Sequence, residues 1–424
     1  MSCTTVFDLN EDCWIELMDY LDVEDQVRLS SLHVCIGEMV KIYASHRYKN
    51  IDASLTGRIG DEYLKQLLRI VGEHLVSYES EWDYSSNSDQ HLGVLRSHCT
   101  NLTQLKMSFR PGRRGWDDLY KLKKLKSLNA YLDMEDSLCT DFVYNLKQFT
   151  FLRKLKLNAT SYGGRGLHVL DQLESLDVSS CGGFDSMSLV DCCQTMKQLR
   201  YLKFGGIRNI RKNSFKSLVT SWKQLECLSF LVDVVDSKFP YELVCQLPKL
   251  QHLQVTHIIF IHDKFIEGLV NRQGSPLESV ILEGWPDRLF KDQVQHLCNI
   301  SSLKELEVSC DTLPLKDLLN LKNLLYLHIY MPITNDQLLD LLKGLPRLKV
   351  LNLQDNAQLI IDNSFVNSVR TCLTEQRQQR GKITIYLGYF RATIDDIFYS
   401  SPLFEINKGS IHPILINKEL AERD

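Results

Sequence analysis

Along most of the chain the apolar residues keep one cadence: an apolar residue, two others, an apolar residue, one other, and an apolar residue again. It opens with Leu75 and Tyr78 and continues as Leu102, Leu105, Met107; Leu125, Leu128, Ala130; Leu152, Leu155, Leu157; Leu173, Leu176, Val178; and Leu199, Leu202, Phe204. It then runs on as Leu225, Leu228, Phe230; Leu250, Leu253, Val255; Leu277, Val280, Leu282; Leu303, Leu306, Val308; Leu324, Leu327, Ile329; and Leu348, Leu351, Leu353. That makes twelve copies, whose first leucines stand 21 to 27 residues apart. The alternation at the end of each copy predicts a short strand with its apolar side chains turned into a core. Between copies the spacing turns helical, as in Phe265, Ile266 and Leu269 after Asp263, or Leu338, Leu339, Leu341 and Leu342 after Asn335-Asp336, acidic and amide residues that suit N-caps. Pro248, Pro276 and Gly344-Leu345-Pro346 mark helix exits, because proline cannot continue a helix and favours the extended chain that follows.

A strand and helix of this length cannot bury an apolar face alone, so neighbouring copies must stack. Pattern and period resemble leucine-rich repeats. The expected fold is α/β: a leucine-rich-repeat solenoid of about twelve or thirteen repeats over residues 75–388, with a curved parallel sheet and outer helices. The array is degenerate. The Asn or Cys expected three residues beyond each strand is present as Cys181 and Asn356, but Asp233, Ile258 and Trp285 stand at other copies. After Leu353, residues 363–372 read as a covering helix and Ile383, Ile385 and Leu387 as a last strand. The tail, 389–424, carries Phe398, Tyr399, Phe404 and the apolar run 411–416, and is expected to pack on the final repeat or over the concave face.

Residues 1–50 break the cadence. Trp14, Leu17, Met18 and Leu21 share one helical face, and after the polar break at 22–25 a second set follows: Leu32, Cys35, Ile36, Met39 and Tyr43. Residues 51–74 read as a helical linker or cap. The stretch Leu9-Asn10-Glu11-Asp12-Cys13-Trp14-Ile15-Glu16-Leu17-Met18-Asp19-Tyr20-Leu21, followed by Asp25-Gln26-Val27-Arg28-Leu29 and Val34-Cys35, resembles an F-box, in the style of insect members. Asn10 replaces the usual proline, and Ile36-Gly37-Glu38 stands where arginine and phenylalanine are typical. Joined to a leucine-rich array, this module implies the substrate-recognition subunit of an SCF-type E3 ubiquitin ligase. Such a subunit is a non-catalytic receptor that binds a Skp1-like adaptor and, through it, cullin and RING subunits, and that presents a protein substrate for ubiquitination and proteasomal degradation. The resemblance assigns Leu9, Ile15, Leu17, Met18, Leu21, Val27, Leu29 and Leu32 to the adaptor contact or to the module's own core.

Strand alternation sends the residues between the apolar positions to the concave side, where a repeat array binds. The candidate substrate-binding residues are Lys106, Tyr131, Lys154, Lys156, His252, Glu283, Glu305, Glu307, Tyr326, His328 and Tyr330. They form a basic region, helped by Arg110, Arg113 and Arg114 and able to take an acidic or phosphorylated segment, and an acidic and aromatic one.

Composition adds mostly exclusions. The chain has 424 residues, 44% of them hydrophobic and 24% charged, enough to bury a large core. Its opening residues carry no basic segment before a long apolar run, and no stretch is apolar enough to span a bilayer, so no membrane role is expected. Thirteen scattered cysteines read as reduced thiols of the cytoplasm and/or nucleus. Eight acidic residues and no basic one lie from Asp8 to Asp25, and with a pI near 6.3 they argue against nucleic acid despite the eight basic residues from Lys106 to Lys126. His252, His257 and His262 recur every five residues, a spacing that does not keep ligands on one helical face. No Cys-x-x-Cys, His-Glu-x-x-His or phosphate-loop pattern occurs, and Gly163-Gly164-Arg165-Gly166 suits a turn. No catalytic residue, metal or cofactor is expected. The competing reading is a leucine-rich-repeat interaction scaffold with no ubiquitin role.

Overall fold

The structure, a computed structural model, describes residues 9–80, 88–110, 119–206, 212–231, 241–256, 261–283, 289–310, 312–331, 333–354, 359, 363–375, 381–387 and 399–408. The chain divides into two compact units, Met1–Phe184 and Asp185–Asp424.

The first unit begins with three helices, α1 (Glu11–Asp19), α2 (Val23–Ser30) and α3 (Val34–Arg47). The polar stretch at 22–25, expected as a break between two helices, opens α2: the Asp22 carboxylate accepts from the Asp25 amide at 2.8 Å. Then come β1 (Asn50–Ile51), α4 (Ala53–Thr56), α5 (Asp61–Val71), β2 (Ser77–Glu79), α6 (Ser88–His98), β3 (Gln104–Phe109), β4 (Ser127–Leu132), α7 (Asp136–Asn145), β5 (Lys154–Asn158) and β6 (Ser175–Val178). The strands lie in chain order and pair in parallel. Residues 51–74 hold α4 and α5 as well as the last residue of β1, so the sheet gains a strand ahead of the first copy of the cadence. Register confirms the pattern's phase, since Tyr78, Leu105, Leu128, Leu155 and Leu176 stand side by side on successive strands and all are buried.

The second unit repeats the scheme with α8 (Ser186–Thr195), β7 (Tyr201–Phe204), α9 (Lys212–Ser221), β8 (Cys227–Leu231), β9 (His252–Thr256), α10 (Asp263–Val270), β10 (Ser279–Glu283), α11 (Lys291–Leu297), β11 (Glu305–Val308), α12 (Leu315–Leu318), β12 (Tyr326–Tyr330), α13 (Asn335–Gly344), β13 (Val350–Gln354), α14 (Asn363–Glu375), β14 (Ile383–Leu387), β15 (Tyr399–Ser400) and β16 (Phe404–Lys408). Leu202, Leu228, Leu253, Val280, Leu306, Leu327, Leu351, Ile385 and Ile406 form one buried row across it. The tail therefore joins the sheet: β16 pairs in parallel with β14, and β15 folds back antiparallel on β16. The apolar run at 411–416 lies outside the described residues.

Two expected N-caps shift by one residue. Thr334, not Asn335, caps α13, its hydroxyl taking the Gln337 amide at 3.3 Å while Gln337 answers on the Thr334 amide at 2.9 Å. At α10 the cap position is His262, and Asp263 is the first helical residue.

Candidate functional site

The helical module owes its form to a few polar anchors. Asn10, where an F-box has proline, caps α1 by accepting from the Cys13 amide at 2.9 Å. Gln26 is buried and donates to the Met18 and Leu21 carbonyls, at 2.8 and 3.0 Å, while accepting from the Tyr48 hydroxyl at 2.8 Å. One side chain thus closes the α1 exit against α2 and the end of α3. Tyr43 donates to Asp19 at 2.6 Å, and burial and that bond push the phenol up to about 12. The module is pinned to α5, the helix of the first repeat: Arg28 donates to the Tyr63 hydroxyl at 2.9 Å with its guanidinium over that ring, and Glu24 accepts from the Gly60 amide at 3.0 Å.

The residues assigned to the adaptor contact separate into two groups. Met18 and Val27 are fully buried and belong to the module's core, together with Trp14, Ile36 and Val40. Leu9, Leu17, Leu21 and Leu29 are half-buried. Ile15 and Leu32 are exposed, at 41% and 70%. Three apolar residues absent from that assignment are also exposed: Tyr20 at 82%, Val34 at 79% and Ile42 at 40%. Val34 opens α3 directly after the turn that carries Leu32, so the α2–α3 junction presents two aliphatic side chains to solvent. Helical spacing had grouped Leu32 and Cys35 with Ile36 and Tyr43; the buried line of α3 is instead Ile36, Val40, Tyr43 and Ala44.

On the sheet, the interleaved positions of β2 to β5 are half-exposed and mostly polar, as expected, whereas Ser175 and Asp177 of β6 are buried. Lys106, Tyr131, Lys154 and Lys156 all lie there. The basic region is largely neutralised sideways, however: Lys106 pairs with Glu79 of β2, and Lys156 lies 3.2 Å from Asp177 of β6. Asn158 donates to Asn129 at 3.1 Å. Arg113 and Arg114 lie outside the described residues.

The second unit differs from expectation. His252, Glu305, Glu307, Tyr326 and His328 are 1–3% exposed, and only Glu283 and Tyr330 keep partial access to solvent. The reason is the size and chemistry of the interleaved side chains, which bond and pack to one another across the strands. An apolar cluster of Tyr201, Cys227 and Ile281 occupies the same face. Beside it runs a polar row: Ser229 donates to Gln254 at 3.0 Å, Gln254 to Glu283 at 3.5 Å, and Tyr330 to Glu307 at 3.0 Å, with His328 Nδ1 3.2 Å from the same Glu307 oxygen. Ser279 donates to Glu305 at 2.8 Å. The His328 and Tyr330 rings lie 4.0 Å apart. Burial, and then the charge and hydrogen bond of Glu307, raise Glu283 to about 7.

The three histidines spaced by five do not converge: His252 is buried on β9, His262 is exposed before α10, and His257 lies outside the described residues. Among the described residues no group of three or more His, Cys, Asp or Glu side chains is placed to hold a metal ion, and no helix is long and apolar enough to cross a membrane. Burial raises the Cys99, Cys139 and Cys181 thiols to about 12. Cys181 does what its repeat position asks and donates to the Leu157 carbonyl at 3.4 Å.

Neither a family model nor a curated protein matches the chain. Among solved structures, the chain is similar to one in the yeast Rad7 and Elc1 complex, with 16% identity and a TM-score of 0.52, covering 82% of this chain and 88% of that one. This decides the architecture. The fold is a leucine-rich-repeat solenoid. An internalin from Listeria monocytogenes also matches, with 16% identity and a TM-score of 0.43 over 84% of this chain and 94% of its own. In leucine-rich-repeat terms, the helical module sits against the first repeat, and the candidate substrate residues occupy the interleaved strand positions.

Proposed function

We propose that this protein is the substrate-recognition subunit of an SCF-type E3 ubiquitin ligase. Its helical module binds a Skp1-like adaptor, and through it cullin and RING subunits, while the repeat face holds a protein destined for ubiquitination and degradation. The chain performs no bond chemistry; it raises the effective concentration of substrate near the ligase's E2 enzyme. The observation that carries this reading is the exposed apolar set of Ile15, Tyr20, Leu32, Val34 and Ile42 on a module whose own core is already filled by Trp14, Met18 and Val27. Side chains of that kind on a well-packed scaffold are what a partner protein covers. The likeness to a chain of the Rad7 and Elc1 complex is in keeping with a leucine-rich-repeat protein that assembles with a second protein.

The rival scaffold reading draws on the Arg28–Tyr63 and Glu24–Gly60 contacts, which a simple cap on the first repeat also needs. One experiment separates the two. The double variant Leu32→Asp, Val34→Asp alters only exposed positions, so the fold should survive. Co-purification with Skp1 should be retained by the wild type and lost by the variant. A wild-type chain that never associates with Skp1 would end the ligase reading.

A further inference from the structure

We propose that Gln26 is a positioning residue for the adaptor contact: it touches no partner itself, but by joining the ends of α1 and α3 to α2 it fixes the relative placement of the exposed side chains that an adaptor covers. Its role in binding rests on the ligase reading above, and it is a buried residue that the exposed set does not include.

The exposed apolar side chains are spread over three helices. Ile15 lies on α1 and Tyr20 caps its end, Leu32 and Val34 lie at the α2–α3 junction, and Ile42 lies on α3. A partner that covers them together needs their spacing held, because every group left to wander in the free protein adds an ordering cost on binding. Burial of the apolar core is non-directional, whereas a hydrogen bond sets both distance and angle. Gln26 supplies such bonds to both other helices: Nε2 donates to the Met18 and Leu21 carbonyls at the end of α1, and Oε1 accepts from the hydroxyl of Tyr48, which caps α3.

The orientation of the amide follows from its neighbours. Two carbonyl oxygens can only accept, so Nε2 faces them; burial raises the Tyr48 phenol, which stays protonated and donates to Oε1. The two carbonyls bracket Tyr20 in the chain, so the most exposed member of the set is held through its own backbone from inside the module. Tyr43 of α3 adds a second strut, to Asp19 at 2.6 Å. The core does not require an amide at this place. An apolar side chain of similar size would fill the space, and with phenylalanine at position 48 it would leave stability nearly level. What the amide adds is direction.

The test compares the full chain with the double variant Gln26→Met, Tyr48→Phe, which removes donor and acceptor together and keeps the volume of both side chains. The Met18 carbonyl still holds the Leu21 amide, at 3.2 Å. The urea midpoint should stay close to that of the wild type, while the Kd for purified Skp1 rises about tenfold or more. Tyr20→Ala supplies the readout that a purely structural role would not move. It should weaken Skp1 binding by about tenfold in the wild-type background and by about threefold or less in the double variant, because a side chain no longer held in place has less to lose. An unchanged Kd in the double variant, or equal effects of Tyr20→Ala in the two backgrounds, would overturn the proposal. If the double variant does not fold, Tyr48→Phe alone decides: it should raise the Kd by about threefold, and an unchanged Kd overturns the role given to Gln26. A wild type that never binds Skp1 ends the ligase reading and this role with it; a wild type that binds, with a double variant that binds equally well, keeps the ligase reading and loses only Gln26.

Discussion

Gly274 adopts φ +118°, and a Cβ added there would stand 2.1 Å from the Pro248 carbonyl oxygen. That carbonyl also accepts from the Ser275 amide at 2.8 Å, and the neighbouring Arg272 guanidinium donates to the Leu250 carbonyl at 2.6 Å and to Ser275 at 2.7 Å. The turn before β10 is thus moulded onto the turn before β9, and only glycine leaves room for it. Gly274→Ala should cost about 2–4 kcal/mol, from strain at positive φ plus displaced backbone. A urea titration showing a loss below about 1 kcal/mol would refute this account. Glu283 gives a second residue-scale prediction. Its carboxyl is raised from 4.5 to about 7, so between those values the folded chain holds a proton that the unfolded chain releases. Stability is therefore fully present at low pH and falls as pH rises from about 4.5 to 7, by roughly 1–2 kcal/mol once solvent access is allowed for. Glu283→Gln should flatten that slope and raise the unfolding midpoint at pH 8. Neither feature was visible in the sequence, because both depend on atoms brought from neighbouring repeats.

Strand and helix positions, by contrast, were plain from the leucine cadence, since a period of two fixes which side chains enter the core. The entry to most strands is built alike: the amides of Lys126 and Ser127 both donate to the Thr103 carbonyl, as those of Gln251 and His252 do to Glu226 and those of Lys349 and Val350 to Leu325. The cap residues were displaced by one because a hydroxyl at Thr334, paired with Gln337, outcompetes an amide one position later. Thr334→Ala should cost about 1 kcal/mol and leave the fold intact, as thermal unfolding would register; Asn335→Ala should cost much less. Burial of the second unit's interleaved residues did leave a trace. Tyr201, Cys227, Tyr326 and Val350 stand at the strand position where the first unit has Gln104, Ser127 and Lys154, and Ile281 at the position where it has Lys106, Asn129 and Lys156; these changes from polar to apolar mark a face withdrawn from water. Strand alternation alone, which treats every interleaved position as solvent-facing, could not read it.

For the molecule as a whole, the two units differ in what they offer a partner. The first presents a polar sheet face whose Lys106 and Lys156 already have acidic neighbours, together with an exposed apolar module; the second presents a buried acidic and aromatic row of which Glu283 and Tyr330 keep partial access to solvent. Stability in such an array is a sum over repeats and the interfaces between them. A change at the α2–α3 junction should therefore leave unfolding of the distant repeats untouched. Leu32→Asp with Val34→Asp should weaken adaptor binding by about thirtyfold or more, the loss of a hot spot worth about 2 kcal/mol, with the urea midpoint unchanged. A shifted midpoint would mean that these side chains stabilise the fold itself. The helical character of the N-terminal module was legible because it rests on local apolar spacing and capping. Which of its apolar residues face outward was not, because Leu32 lies in the turn before α3 and Val34 opens that helix, both outside its buried line of Ile36, Val40, Tyr43 and Ala44.

The contacts of Arg28 with Tyr63 and of Glu24 with Gly60 tie the helical module to the first repeat. With the module tied there, a protein seated on the first unit's strands would lie at a distance from it that is counted in strands, each adding about 4.8 Å. Under the proposed function the array would work as a ruler: the strand at which a guest is grasped would select which stretch of its surface lies nearest the partner on the module.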